Sequence, residues 1–287
     1  MNCLRVFNEF IIIFAPKSFI MTLQKWIKDR AIHGFPTFSI EDVRETGMYS
    51  SEQILQNELY RLCSNKTIAS VYRGFYVIIA VQYVLRGSVP ATYYIDQLMA
   101  YLSKPYYVCM LSAAELLGAA HQRPQQFSVM TTFPKRRVVS TRNVIIDWFY
   151  REGLPEDALI TKNTETGTIR ISNPLLTAAD LVQYQQHVGG LSLVATILEE
   201  LSEQINIKSQ FASLASFVKK VTWQRLGYIL EHVVEENELA DELYEQIRNL
   251  PGSLMYMPFS TSAEDNTSER NSRWKIKINV QIEKDDL

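Results

Sequence analysis

With 287 residues, 47% of them hydrophobic, the chain is long enough for about two domains with buried cores. The formal net charge of −2 excludes a global basic field, so a nucleic-acid surface would have to be local. Cys3, Cys63 and Cys109 are odd in number, widely spaced and form no C-x-x-C; this argues against a disulfide framework or a structural zinc site and fits a reducing cytosol.

The apolar run "FIIIFA" at 10–15 is far short of the roughly 20 residues that span a membrane. It also lacks the basic flank and small-residue cleavage site of a signal peptide. Met21 opens a more conventional segment, so the natural start is placed there and residues 1–20 are treated as an upstream extension. The alternative is a short helix or strand packed on the body.

The segment 22–80 reads as three helices and a hairpin. Leu23, Trp26 and Ile27 recur at helical spacing before Gly34 and Pro36. Ser39 with Asp42 forms a capping pattern, Phe38 and Val43 are placed for a hydrophobic staple, and Gly47 is the stop. The third helix is read from Ser50, capped against Gln53, with Leu55, Leu59 and Leu62 facing inward. "TIASVYRGFYVI" then alternates through Arg73-Gly74, a hairpin signal.

Residues 81–103 read as a tyrosine-rich connecting helix. From 104 to 142, Lys104, Arg123, Lys135, Arg136, Arg137 and Arg142 against Glu115 leave a local net of +5. "FSVMTTFP", "VIIDWFY", "ALITKN" and "TIRIS" are strand signals, the last two joined as a hairpin by "TETG". Asn173-Pro174 starts a helix, and helices continue to about 250. The stretch 231–248 is acidic, with a net of −6. After a polar loop, Trp274, Ile276, Ile278, Val280 and Ile282 alternate with polar residues. They predict a half-buried final strand pairing with strands from the middle of the chain.

Catalytic signals are sparse. Phosphate-binding Gly-rich loops, H-E-x-x-H and G-x-S-x-G are absent. His33, His121, His187 and His232 are isolated, and "SFVK" at 216–219 lacks companion motifs. No lysine follows an acid by two positions, which removes the usual nuclease pattern and leaves Asp147, Asp180 and Glu283 scattered. No cofactor and no metal ligand set is assigned, and no catalytic residue.

In a winged helix the third helix enters the major groove and the hairpin lies along phosphates. The face opposite the leucines presents Gln53, Gln56, Asn57, Tyr60 and Arg61, suited to base edges or phosphates. Ser50 and Ser51 sit at the helix N-terminus, where N–H groups favour phosphate. Lys66, Tyr72 and Arg73 fall on the wing or its approach. Lys135, Arg136 and Arg137 form a second candidate phosphate patch. The bland alternatives are a solvated helix face and an exposed hairpin tip; winged helices also serve as protein-interaction modules. The net charge over 21–80 is only +1.

One pattern runs through the reading helix into the wing: Leu59, Arg61, Leu62, Ile68, Arg73, Gly74 and Tyr76. It resembles the "L-x-R-L … I-x-x-x-x-R-G-x-Y" pattern of AbiEi-type antitoxins. Asn65-Lys66-Thr67 departs from the glycine often found before the Ile strand. "YYVCMLSAAELLGAAHQRPQQFSV", "ISNPLLTAADLVQY", "QRLGYILE" and "RWKIKINVQIEKDDL" are similar to later motifs of that family, in order over about 22–287.

The resemblance implies an α+β chain. A winged helix-turn-helix at 22–80 and a connecting helix at 81–103 would precede a mixed α/β effector domain at 104–287, closed by its last strand. It further implies a non-enzymatic type IV antitoxin of abortive infection, repressing its own operon at inverted repeats. The partners would be promoter DNA, bound by a dimer or cooperatively, and a companion nucleotidyltransferase-like toxin that is countered without a necessarily stable complex. The alternatives are a winged-helix regulator without a toxin and a degenerate nuclease-like protein.

Overall fold

The computed structural model describes residues 22–87, 89–120, 124–135, 145–260, 262–264 and 269–282. The expectation for residues 1–21 lies outside them.

α1 (Leu23–Ile32) is capped by Thr22 and buries Leu23 and Ile27. β1 (Thr37–Ser39) leads directly into α2 (Ile40–Glu45). Ser39 closes a reciprocal capping box with Asp42, Phe38 and Val43 join the same core, and Gly47 follows at φ +65°. α3 (Glu52–Ser64) is capped by Ser51, whose hydroxyl accepts the Ile54 N–H. The cap is therefore one residue later than the Ser50 expected from the Ser50–Gln53 spacing. Leu55, Leu59 and Leu62 are buried together with Ile68, Tyr76 and Ile78.

The hairpin is β2 (Ile68–Tyr72) and β3 (Phe75–Ile78), and β1 pairs with β3 to give the order β1-β3-β2. All four β3 residues are buried. Tyr76 and Ile78 face the three-helix core, while Phe75 and Val77 face a second core. The two-residue period of a strand puts successive side chains on opposite faces, and here both faces are covered.

The second core joins the wing to the rest of the molecule. The connecting segment is not one helix over 81–103. It contains short 3-10 turns at Val81–Tyr83 and Ala91–Tyr93, and only α4 (Ile95–Tyr101) is α-helical. Pro90 and Gly87, at φ +68°, fall between these pieces, and neither suits a helix interior. Ile95, Leu98 and Met99 pack between the hairpin and a five-stranded sheet.

That sheet contains β4 (Tyr106–Val108), β5 (Gln126–Thr132), β6 (Ile145–Arg151), β7 (Leu159–Thr164) and β8 (Gly167–Ser172). Its order is β6-β5-β4-β8-β7. β7 and β8 form the expected antiparallel hairpin, but β5 and β6 run parallel. Parallel neighbours cannot be the two arms of one tight hairpin, so β5 and β6 are not a hairpin pair. Tyr106, Val108 and Val129 face the wing side, and Tyr107 and Met130 face a large helical core.

α5 (Met110–Leu117), α6 (Pro174–Gln183), α7 (Leu191–Ser202), α8 (Ile207–Gln210), α9 (Lys220–His232) and α10 (Asn237–Arg248) supply that core. α6 begins as expected, with Asn173 accepting the Leu176 N–H and Pro174 in the first turn.

The chain end departs from the long strand expected over 274–282. Only β11 (Ile276–Lys277) is a strand, and it joins β9 (Met257–Pro258) and β10 (Arg270–Asn271) in a separate small sheet. It does not pair with the five-stranded sheet. Lys275 has φ +54°, which breaks the extended run just after Trp274. The Trp274 ring sits on α9 at Gly227, where a Cβ would collide with the indole, and Gln224 donates to the Trp274 carbonyl at 2.7 Å. Seating this indole in the core takes precedence over strand alternation.

Candidate nucleic-acid interface

α2 and α3 are held by leucine packing beneath and by two caps at their N-termini, so the outer face of α3 is presented on a rigid base. Gln53, Gln56, Asn57, Tyr60 and Arg61 are all exposed, as the leucine spacing requires. Tyr60 is 77% exposed and Ile54 is 51% exposed, so this face carries apolar as well as polar surface.

The polar groups are partnered locally. Gln53 donates to Asn57 at 3.1 Å, and Gln56 donates to Glu52 at 3.0 Å. Arg61 makes a two-pronged pair with Glu58, at 2.6 Å from Nη2 and 3.0 Å from Nε. The Ser51 hydroxyl is committed to the cap, while Ser50 is exposed beside it.

One residue on this surface escaped the sequence reading. Arg44, from α2, forks onto Glu52 at 2.7 and 3.2 Å and reaches Glu41 at 3.1 Å. It lines a cleft with Tyr49, Ser50, Ser51 and Glu52 at the start of α3. The eight-residue separation of Arg44 and Glu52 spans a turn between two helices, and helical spacing rules do not predict such a pair.

The wing is less free than expected. The Tyr101 hydroxyl donates to the Arg73 carbonyl at 3.3 Å, and the Ile40 N–H donates to the Gly74 carbonyl at 2.8 Å. A Cβ at Gly74, which has φ +74°, would crowd Tyr101 Oη at 3.1 Å. Arg73 remains exposed, but its turn is tied to α2 and α4. Tyr72 is half-buried against Tyr101. Lys66 has φ +54° and lays its stem over Gly87.

The second candidate patch is only partly described. Lys135 is exposed, with its ammonium 5.6 Å from the Tyr150 ring centre. Arg136 and Arg137 lie outside the described residues.

A different ionic cluster lies inside the body. The Tyr107 hydroxyl on β4 donates to Asp180 Oδ2 on α6 at 2.9 Å and accepts from Arg151 Nη1 on β6 at 2.7 Å. Arg151 stands 3.9 Å from the other carboxylate oxygen of Asp180. Asp180 is 1% exposed, and burial pushes its carboxyl up to about 6 against the attraction of Arg151 and the Tyr107 bond. Burial also raises the Cys109 thiol. Tyr107, Cys109 and Asp180 are closed within the helical core. Their arrangement joins the sheet to α6 and offers no open face for a substrate. Among the described residues no group of three or more His, Cys, Asp or Glu could hold a metal ion. No described helix is long and apolar enough to cross a membrane.

Among solved structures, this chain is similar to the crystal structure of the RV2827C protein from Mycobacterium tuberculosis. The TM-score is 0.65 at 12% identity, covering 88% of this chain and 89% of that one. At that identity the likeness is one of fold. Curated proteins give no match. Residues 106–232, from β4 to the end of α9, match the family model for the AbiEi antitoxin C-terminal domain.

Proposed function

We propose that this chain is the antitoxin of a type IV toxin–antitoxin system and the repressor of its own operon. The observation that carries the reading is the AbiEi C-terminal domain match at 106–232, following a three-helix unit with an exposed polar α3. The α3 face, with Arg44 and Arg73 at its flanks, reads promoter DNA. The C-terminal body counteracts a nucleotidyltransferase-like toxin in the cytoplasm. The protein works without catalysis.

One α3 presents a single reading helix, so operator recognition takes two copies on paired half-sites about one helical turn apart. Phage defence through abortive infection is the corresponding physiological role. A nuclease role has less support. The acid that burial perturbs most, Asp180, is enclosed and bonded to Tyr107, and so is poorly placed to meet a scissile phosphate.

Two measurements test the reading together. A nucleotidyltransferase-like gene is expected beside this one, and co-expression with it should restore growth. Gel shift with the chain's own upstream region should give a discrete complex that weakens steeply with salt. Failure of rescue with folded protein would overturn the antitoxin role. Absence of any promoter complex would overturn the repressor role.

A further inference from the structure

Both helix-borne arginines of the reading surface are already occupied by carboxylates on that same surface. Arg44 is forked onto Glu52 at 2.7 and 3.2 Å, and Arg61 onto Glu58 at 2.6 and 3.0 Å. A forked carboxylate takes the guanidinium edge that a phosphate, or the O6/N7 edge of guanine, would use.

We infer that Glu52 and Glu58 are specificity-determining residues that stand in for DNA in the free protein and must be displaced when it binds. The inference rests on the DNA-reading role proposed above.

The geometry makes the exchange feasible. Both arginines and Glu52 are about half exposed, and Glu58 is a quarter exposed. Solvent-exposed pairs are weakly held, so a well-placed DNA group can replace the carboxylate. The displaced carboxylates then remain near the backbone of the duplex and repel it. Nonspecific DNA offers phosphates alone and meets this repulsion without recompense. An operator adds base contacts from Gln53, Asn57 and Arg61 that outweigh it. Near-neutral charge over 21–80 follows the same logic, because a reader with neutralised arginines is not held on every duplex it meets.

The test uses the full chain and its Glu52→Gln and Glu58→Gln variants, with one duplex of the native promoter and one of scrambled sequence. Binding is measured by fluorescence anisotropy across a salt series, with thermal melting to establish folding. Each variant should bind scrambled DNA about fivefold to tenfold more tightly and narrow the promoter preference. Glu52→Gln, which removes one carboxylate charge from beside the phosphates and leaves Arg44 uncompensated there, should steepen the log–log salt slope by about 0.9. A merely structural role would move the melt and leave that slope unchanged.

If the wild-type chain prefers its promoter and the folded variants match it on both duplexes at every salt concentration, the inference is overturned while the DNA-reading role stands. If neither the wild type nor the variants bind any duplex, both fall.

Discussion

The molecule uses arginine–carboxylate pairs in two regions under opposite conditions. On the α2–α3 surface Arg44 and Arg61 hold Glu52 and Glu58 in water, with side chains from 25 to 55% exposed. In the body Arg151 and Asp180 are 10% and 1% exposed and share the Tyr107 hydroxyl. Ions in water lose little by separating, whereas a buried ion stripped of its partner keeps its desolvation cost. The same chemistry is thus exchangeable at one site and structural at the other.

The largest effect that should separate the regions is Arg151→Ala. It leaves Asp180 buried without its cation and should destabilise the protein by about 3–5 kcal/mol, read by urea unfolding. A loss as small as that of a surface substitution would break the contrast. Gly227→Ala comes next and tests whether packing in the body is equally unforgiving. Its Cβ would meet the Trp274 ring, and a cost of about 1–3 kcal/mol is expected. That cost should shrink in a Trp274→Ala background, where the collision is gone.

Asp180 also gives the body a pH signature. Its carboxyl is raised from the ordinary value of 3.8 to about 6 on folding, so the folded state binds the proton more tightly. The resulting stability is fully present below about 4 and is lost as pH rises through about 6. Melting of the wild type relative to Asp180→Asn should therefore decline between these limits and level off above about pH 7. A flat difference would show that Asp180 is solvated. The smallest stability effect is expected for Arg44→Ala and Arg61→Ala, whose melting midpoints should stay at the wild-type value.

α3 was legible in the sequence because its leucine periodicity is strong and its outer face follows from that spacing. Ser39, Asn173 and Pro174 were equally readable, since caps are local chemistry. The cap at Ser51 was missed by one residue because Ser50 and Ser51 are both competent oxygens and only backbone geometry distinguishes them. Arg44 was missed because it meets α3 through tertiary placement.

The burial of both faces of the wing was signalled weakly by "FYVI", a continuous apolar run rather than an alternating one. This core is shared between the hairpin and the five-stranded sheet. Phe75 and Val77 belong to the same buried cluster as Ile95, Leu98 and Val108, so residues 90–287 alone would expose part of that core and the fragment should lose solubility. The final strand was misread because its alternation was counted without Gly227, whose missing side chain admits Trp274 and ends the regular run.

The account is tested most directly by measuring promoter affinity and thermal melting together on the Arg44→Ala/Arg61→Ala double variant. The prediction is an unchanged melt with promoter binding weakened at least about tenfold. Unchanged promoter binding, or binding that weakens only in step with a lowered melt, would contradict it.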